Sequence, residues 1–231
     1  MNAINHAATA LLVNRKWPGV PIVAVLVAVQ LVEFLWVALN LLGVELTTTE
    51  PQVRALDDIH LVHMPWSHSI AATVVLAAAA WILVAKVLRR PNWALAVAAA
   101  ISSHIVLDLA THAPDIALAP GIASPLLGSG LYAVPLVALA VETAYGIGCW
   151  WAFGGSRELL AAIVLFNLGA LSFYAPGIAG PEQFLAGQPK LFAAAIGVHV
   201  VLGLMAVGFL ARGRWRTVAA GAGRGAPAER P

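Results

Sequence analysis

An all-α, polytopic bundle of six transmembrane helices is the fold this chain predicts, from its composition, the length of its apolar runs and the placement of Lys and Arg. Of 231 residues, 61% are hydrophobic and 10% charged, against about 25% charged in an ordinary soluble domain. A mean hydropathy of +0.86 suits a chain whose solvent is largely lipid. Six runs approach the roughly 20 apolar residues that a helix needs to cross a hydrocarbon core about 30 Å thick. No alternating pattern of the kind a membrane β-barrel requires is present.

Taken in order, the segment Ala3–Val13 is too short to span and reads as a re-entrant or surface helix. The expected spans are Val20–Leu42, Trp66–Leu88, Trp93–Ala110, Gly130–Phe153, Glu158–Ile178 and Leu191–Ala211. Arg89-Arg90-Pro91-Asn92, Gly154-Gly155, Gly180-Pro181 and the Pro/Gly-rich stretch Pro114–Gly130 punctuate them. The first apolar run is a full span with no small-residue cleavage site behind it, so no cleavable signal peptide is expected. Residues 1–211 are read as one transmembrane domain, and 212–231 as a basic, unstructured cytoplasmic tail. Cys149, the sole cysteine, excludes an internal disulfide and a Cys-based zinc site, and lies in an apolar run as a buried thiol.

Charge sets the orientation. With both termini inside, Arg15, Lys16, Lys86, Arg89, Arg90, Arg157 and the arginines at 212, 214, 216, 224 and 230 are internal. Only Arg54 and Lys190 are external. That bias predicts N-in and C-in topology in a bacterial inner membrane. Glu45–Pro65 and Thr111–Ser129 are then outer loops, and Trp17, Trp66, Trp93, Trp150 and Trp151 are interfacial anchors.

Ionisable side chains within spans are expensive and therefore informative. Glu33 falls midway along the first span, Asp108 near the outer end of the third and Glu142 midway along the fourth. His68 opens the second span. His104, Asp108 and His112 are spaced i, i+4, i+8 and share one helical face, with Asp115 just past Pro114. Histidine and carboxylate without cysteine suit zinc or another divalent first-row metal. The expected ligands are His68, His104, Asp108 and Glu142, with His6, Glu33 and His112 behind them. Asp115 is the expected catalytic residue, orienting a water and taking its proton. His199 reads as structural, and Asp57, Asp58, His60 and His63 as solvated loop residues.

Pro65-Trp66-Ser67-His68-Ser69 resembles the (Y/T/S)-H-S signature of the YdjM-like membrane-bound metal-dependent hydrolases. Ser103-His104-Ile105-Val106-Leu107-Asp108 is similar to that family's S-H-x-x-L-D element. His112-Ala113-Pro114-Asp115, then Gly130-Leu131-Tyr132 and Glu142, resemble a subgroup with H-x-x-D, G-L-W and a late Glu, and His6 resembles the early His of an opening T-H motif. The likeness covers roughly residues 1–150. It implies a distant relation to zinc-dependent phospholipase C and single-strand nucleases, which hold two or three zinc ions on a helical bundle and hydrolyse phosphoesters. The family's Pro-Asp near the end of the first span has no counterpart here, where Glu33 could replace it. Met64 follows His63 where many members carry Arg. The number of metal ions is thereby left open.

The resulting expectation is a hydrolase whose outward-facing site takes a lipid or lipid-linked phosphoester, with zinc as its metal. No Gly-rich phosphate loop, no G-x-S-x-G elbow and no aromatic-basic patch for nucleic acid is present. The competing class is a proton- or ion-coupled transporter that relays through Glu33, Asp108 and Glu142. A non-catalytic scaffold is the third.

Overall fold

A computed structural model describes residues 1–53, 55–175 and 177–224. Arg54, one of the two basic residues expected outside, and the tail end at 225–231 lie outside the described residues. The chain is all-α apart from one short hairpin. In order come α1 (Ala3–Lys16), α2 (Ile22–Val29), α3 (Leu31–Leu42), β1 (Leu46–Thr49), β2 (Ile59–His63) and α4 (Ile70–Ile82). Then follow α5 (Pro91–Leu109), α6 (Pro135–Phe153), α7 (Arg157–Gly169), α8 (Leu171–Tyr174) and α9 (Pro189–Arg224).

Among the described residues, four helices are long and apolar enough to cross a membrane. They are Ile70–Val87 (α4 with the π turn that continues it), α5, α6 and the Pro189–Gly213 part of α9. The pair α2 and α3 would make a fifth, bent by 49°. The bend falls at Gln30, whose side-chain Nε2 leaves the helix to donate to the carbonyl of Ala3 at 2.7 Å. The fifth expected span, Glu158–Ile178, is 13 residues of α7 and four of α8, separated at Ala170. By 1.5 Å per residue, α7 alone reaches only about 20 Å. α9 stays helical past Arg212, where the tail was expected to begin.

The core gathers around α1, which is neither superficial nor merely peripheral. Ile4, Asn5, Ala7, Ala8, Ala10 and Leu11 are all fully buried, on every side of the helix. Alanines let neighbouring helices approach closely, and α1 touches α2, α5, α6, α7 and α9. Gly146 on α6 makes one such approach, since a Cβ there would stand 2.6 Å from Asn5 Oδ1 and 2.8 Å from Ile163 Cγ2. Cys149 is buried on the same helix.

Helix direction tells one end of the bundle from the other. At the C-terminal end of α1, Arg15 hydrogen-bonds the carbonyl of Ala152 near the end of α6, next to Arg157. Lys16 and Arg90 sit over the rings of Trp17 and Trp93, at 4.9 and 5.1 Å. The other end holds the N-terminus of α1, the C-terminus of α5 and the segments 43–69 and 110–134. The expected outer loop Glu45–Pro65 carries the unforeseen antiparallel hairpin, with Leu46 opposite His63 and Thr48 opposite His60.

Candidate metal centre

The site forms at this second end, where α5 stops. His104 and Asp108 lie one turn apart on α5, and the amide of His112 donates to the carbonyl of Asp108 at 2.7 Å. That bond carries His112 round on the same face after the helix has ended. Opposite stand His6 from α1, Glu33 from the first turn of α3, and His68 from the turn before α4.

Two histidines point a lone pair at the same place. His104 Nδ1 is 2.8 Å from the carbonyl of Val29, at the α2–α3 break. A carbonyl can only accept, so Nδ1 carries the proton and Nε2 of the neutral ring is a lone pair. His68 Nδ1 is 2.9 Å from Ser67 Oγ, whose own proton goes to Glu45 Oε2 at 2.6 Å. His68 Nδ1 is therefore the donor to Ser67, and in the neutral ring its Nε2 is the lone pair.

These two Nε2 atoms converge with carboxylate oxygens from Glu33 and Asp108. His104 Nε2 is 3.2 Å from Asp108 Oδ2 and 3.6 Å from Glu33 Oε2. His68 Nε2 is 3.7 Å from Asp108 Oδ2 and 3.6 Å from Glu33 Oε2. A tetrahedral ion with bonds of 2.0–2.1 Å separates its ligand atoms by about 3.3–3.4 Å. His104 Nε2 and Asp108 Oδ2 are buried without a hydrogen-bond partner, a costly arrangement unless a cation or proton lies between them. The residues thus fit a divalent ion in both donor type and spacing. Glu33–His68–His104 and His6–His104–Asp108 are two sets compatible with an ion among the described residues.

The other oxygen of Asp108 faces a second group. Oδ1 lies 2.9 Å from the α-amino group of Met1, 3.1 Å from His6 Nε2 and 3.5 Å from His112 Nε2. The His6 ring stacks on His104 with centroids 3.9 Å apart. Asp115, the expected catalytic acid, is 3.4 Å from His112 Nδ1 through Oδ1.

Glu142, expected among the leading ligands, forms no part of either set. Its Oε2 accepts from the amide of Asn2 at 2.6 Å and from Asn5 Nδ2 at 3.1 Å, and its Oε1 from Tyr174 Oη at 3.1 Å. Asn5 in turn bonds Asn167 on α7 at 2.9 Å. The carboxylate is saturated by donors and sits at the N-terminus of α1, where helix polarity favours negative charge. Glu33 fills the corner expected for Glu142.

Sequence reasoning passed over Glu45. Gly43, in the left-handed conformation at φ 75°, closes α3. The chain turns back so that Glu45 is buried and accepts from the amides of Trp66 and Ser67 at 2.9 and 2.8 Å. An acid two residues after a glycine helix stop is the available signal. His60 is exposed and pairs with Glu50 at 2.9 Å, apart from the centre.

A cavity of about 610 Å³ opens onto the centre. Met1, His6, Glu33, His68, Asp108, His112, Asp115 and Tyr132 line its polar part. Trp36, Ile59, Phe173, Leu185, Phe192 and Ile196 supply much of its apolar lining, beside Glu182 and His199. Burial first, then neighbouring Tyr174, Glu142 and Asp108, hold the Tyr132 phenol well above its ordinary pKa, so it remains a donor. Comparison of the chain with protein-family models, curated proteins and solved structures finds no match.

Proposed function

We propose that this chain is a membrane-embedded, metal-dependent hydrolase acting on a phosphoester or related bond of a lipid or lipid-linked substrate. One observation carries the reading: Nε2 of His68 and of His104 each lie 3.2–3.7 Å from Glu33 Oε2 and Asp108 Oδ2, and Glu33, His68 and His104 form one compact ligand set. Both imidazoles are held with a lone pair inward. A divalent ion there, zinc by the donor set, supplies Lewis acidity toward a phosphoryl oxygen and acidifies water. The chain's own groups do the rest. Asp115, through His112, is placed to accept a proton at the cavity wall. Tyr132 donates toward an oxygen of the substrate, and the apolar lining takes an acyl or prenyl portion. The likeness of residues 1–150 to YdjM-like hydrolases agrees with this chemistry. The broken pair α7–α8 serves as the fifth of six spans in a bacterial inner membrane, with the Arg15–Lys16 end of α1 and the C-terminus of α9 inside and the site outward. Met1, paired with Asp108, then lies at the outward end, against the expected N-in placement.

Metal analysis and hydrolysis of phospholipid vesicles, run on the wild type and Asp108→Asn, test the reading. Asparagine keeps the shape and removes the charge. The variant is expected to fold and insert but to lose bound metal and hydrolysis together. A metal-free wild-type protein after purification in added zinc would refute it.

A proton- or ion-coupled transporter is the second reading, favoured by the break at Gln30 one turn from Glu33. Transporters build ion sites from such interrupted helices. Under it, Asp108→Asn keeps its metal content and loses pH-dependent solute uptake into vesicles.

A further inference from the structure

We infer that Glu45 is a positioning residue, acting through Ser67 to hold His68 as the Nδ1-protonated tautomer with Nε2 presented to the centre. Glu45 lies 23 residues before His68 and does not face the ligand atoms. Its carboxylate does two things at once. Oε1 accepts the amides of Trp66 and Ser67, at 2.9 and 2.8 Å, and so fixes the backbone turn that carries His68. Oε2 accepts the Ser67 hydroxyl at 2.6 Å, which obliges Ser67 Oγ to be an acceptor toward His68 Nδ1 at 2.9 Å. A serine has one proton, so the direction of the whole relay follows from the carboxylate. Glu45, Ser67 and His68 are all buried, at 2%, 1% and 4% exposure, which keeps water from substituting for either bond.

The order of groups separates this relay from a nucleophilic serine device. In the Ser-His-Asp arrangement the imidazole lies between serine and acid and takes the serine proton. Here the serine lies between acid and imidazole, and its hydroxyl already donates to the acid. Ser67 is therefore a spacer that lengthens the reach of Glu45, comparable in effect to the carboxylates that orient metal-binding histidines. His104 obtains the same tautomer from a different source, the carbonyl of Val29. Two unrelated supports thus impose one orientation on two rings that meet at one point. Only the second arm of the test below depends on the proposed metal.

The test is imidazole ¹⁵N spectroscopy of the metal-free, full-length protein in lipid nanodiscs, with His68 assigned from His68→Gln. The wild type should show His68 protonated at Nδ1 and bare at Nε2. Ser67→Ala should give a mixture of tautomers, and Ser67→Thr, which keeps the hydroxyl, should restore the wild-type signal. A wild-type His68 protonated at Nε2 overturns the inference and needs no variant to be seen. So does a Ser67→Ala spectrum unchanged from the wild type. In the second arm, titration with cobalt should show affinity lowered about 10- to 100-fold in Ser67→Ala and near normal in Ser67→Thr. Equal affinity in Ser67→Ala and wild type also overturns it. A wild type that takes up no cobalt, yet shows the tautomer expected, leaves the Glu45 inference standing and removes the hydrolase reading.

Discussion

Asp108 concentrates the chemistry at the residue scale, since each of its oxygens faces a different set of nitrogens. Around it, Tyr132 is the side chain best placed to contribute without touching the ligand atoms. Its ring lies 5.3 Å from that of His112, and its phenol remains protonated. Tyr132→Phe removes only the donor. It is expected to lower kcat on the order of 10² with bound metal unchanged, checked by parallel turnover and metal analysis. A parallel loss of metal would make the phenol part of the support for the centre instead. The face formed by His104, Asp108 and His112 was legible in the sequence because α5 is regular and its spacing can be counted. The relative rank of Glu33 and Glu142 was not legible. Glu142 is saturated by Asn2, Asn5 and Tyr174, partners 140, 137 and 32 residues away. Glu33 is turned inward by a break that an unbroken apolar run conceals.

Among elements, α1 was the least legible. Eleven residues, Ala3–Val13, are too few to span and read as a surface or re-entrant helix; burial overturns the surface alternative. The helix runs three residues further than expected, to Lys16, and its burial on all sides depends on which helices surround the segment. Four alanines among its 14 residues, with Asn5, His6, Thr9 and Asn14 interspersed, suit a helix wholly enclosed by others. Thr9 Oγ1 meets Tyr145 Oη at 2.9 Å and Asn14 Nδ2 donates to the carbonyl of Val20 at 2.9 Å, so its polar groups find protein partners. Gly146 tests the closeness of that packing. Gly146→Ala inserts a methyl against Asn5 and Ile163, and is expected to destabilise the bundle by about 1–3 kcal/mol. A lowered midpoint of unfolding in detergent, with loss of the Asn5–Glu142 contact near the site, is the measurement. An unchanged midpoint would mean α1 and α6 can separate freely.

For the whole molecule, polarity runs along the bundle axis. Arg15, Lys16, Arg89, Arg90 and Arg157 mark one end, and the candidate centre and cavity mark the other. This arrangement predicts the sidedness of the site directly. Reporter fusions after Arg90 and after Arg157 should both read cytoplasmic, and a fusion near Pro120 should read exterior. A cytoplasmic signal at Pro120 would turn the cavity toward the cell interior and remove outer-leaflet lipid as its substrate. Composition made the membrane class plain, and span ends followed from Gly, Pro and Arg. The interruptions at Gln30 and Ala170 were hidden, because hydropathy averages over a window and registers no change of direction.

The enclosed position of α1 carries a consequence for biogenesis. This segment leaves the ribosome before every helix that will surround it, yet its contacts extend to α9, the last helix of the bundle. During synthesis it has no interior to enter. Until α5, α6, α7 and α9 are in place, the neighbours that bury Asn5 and His6 are missing. Such late, long-range closure slows assembly and lengthens the exposure of partly folded chains. Completion of the centre is therefore coupled to completion of the fold: a nascent chain halted before α9 would already possess His68, His104 and Asp108, and still lack the shell that brings His6 to them.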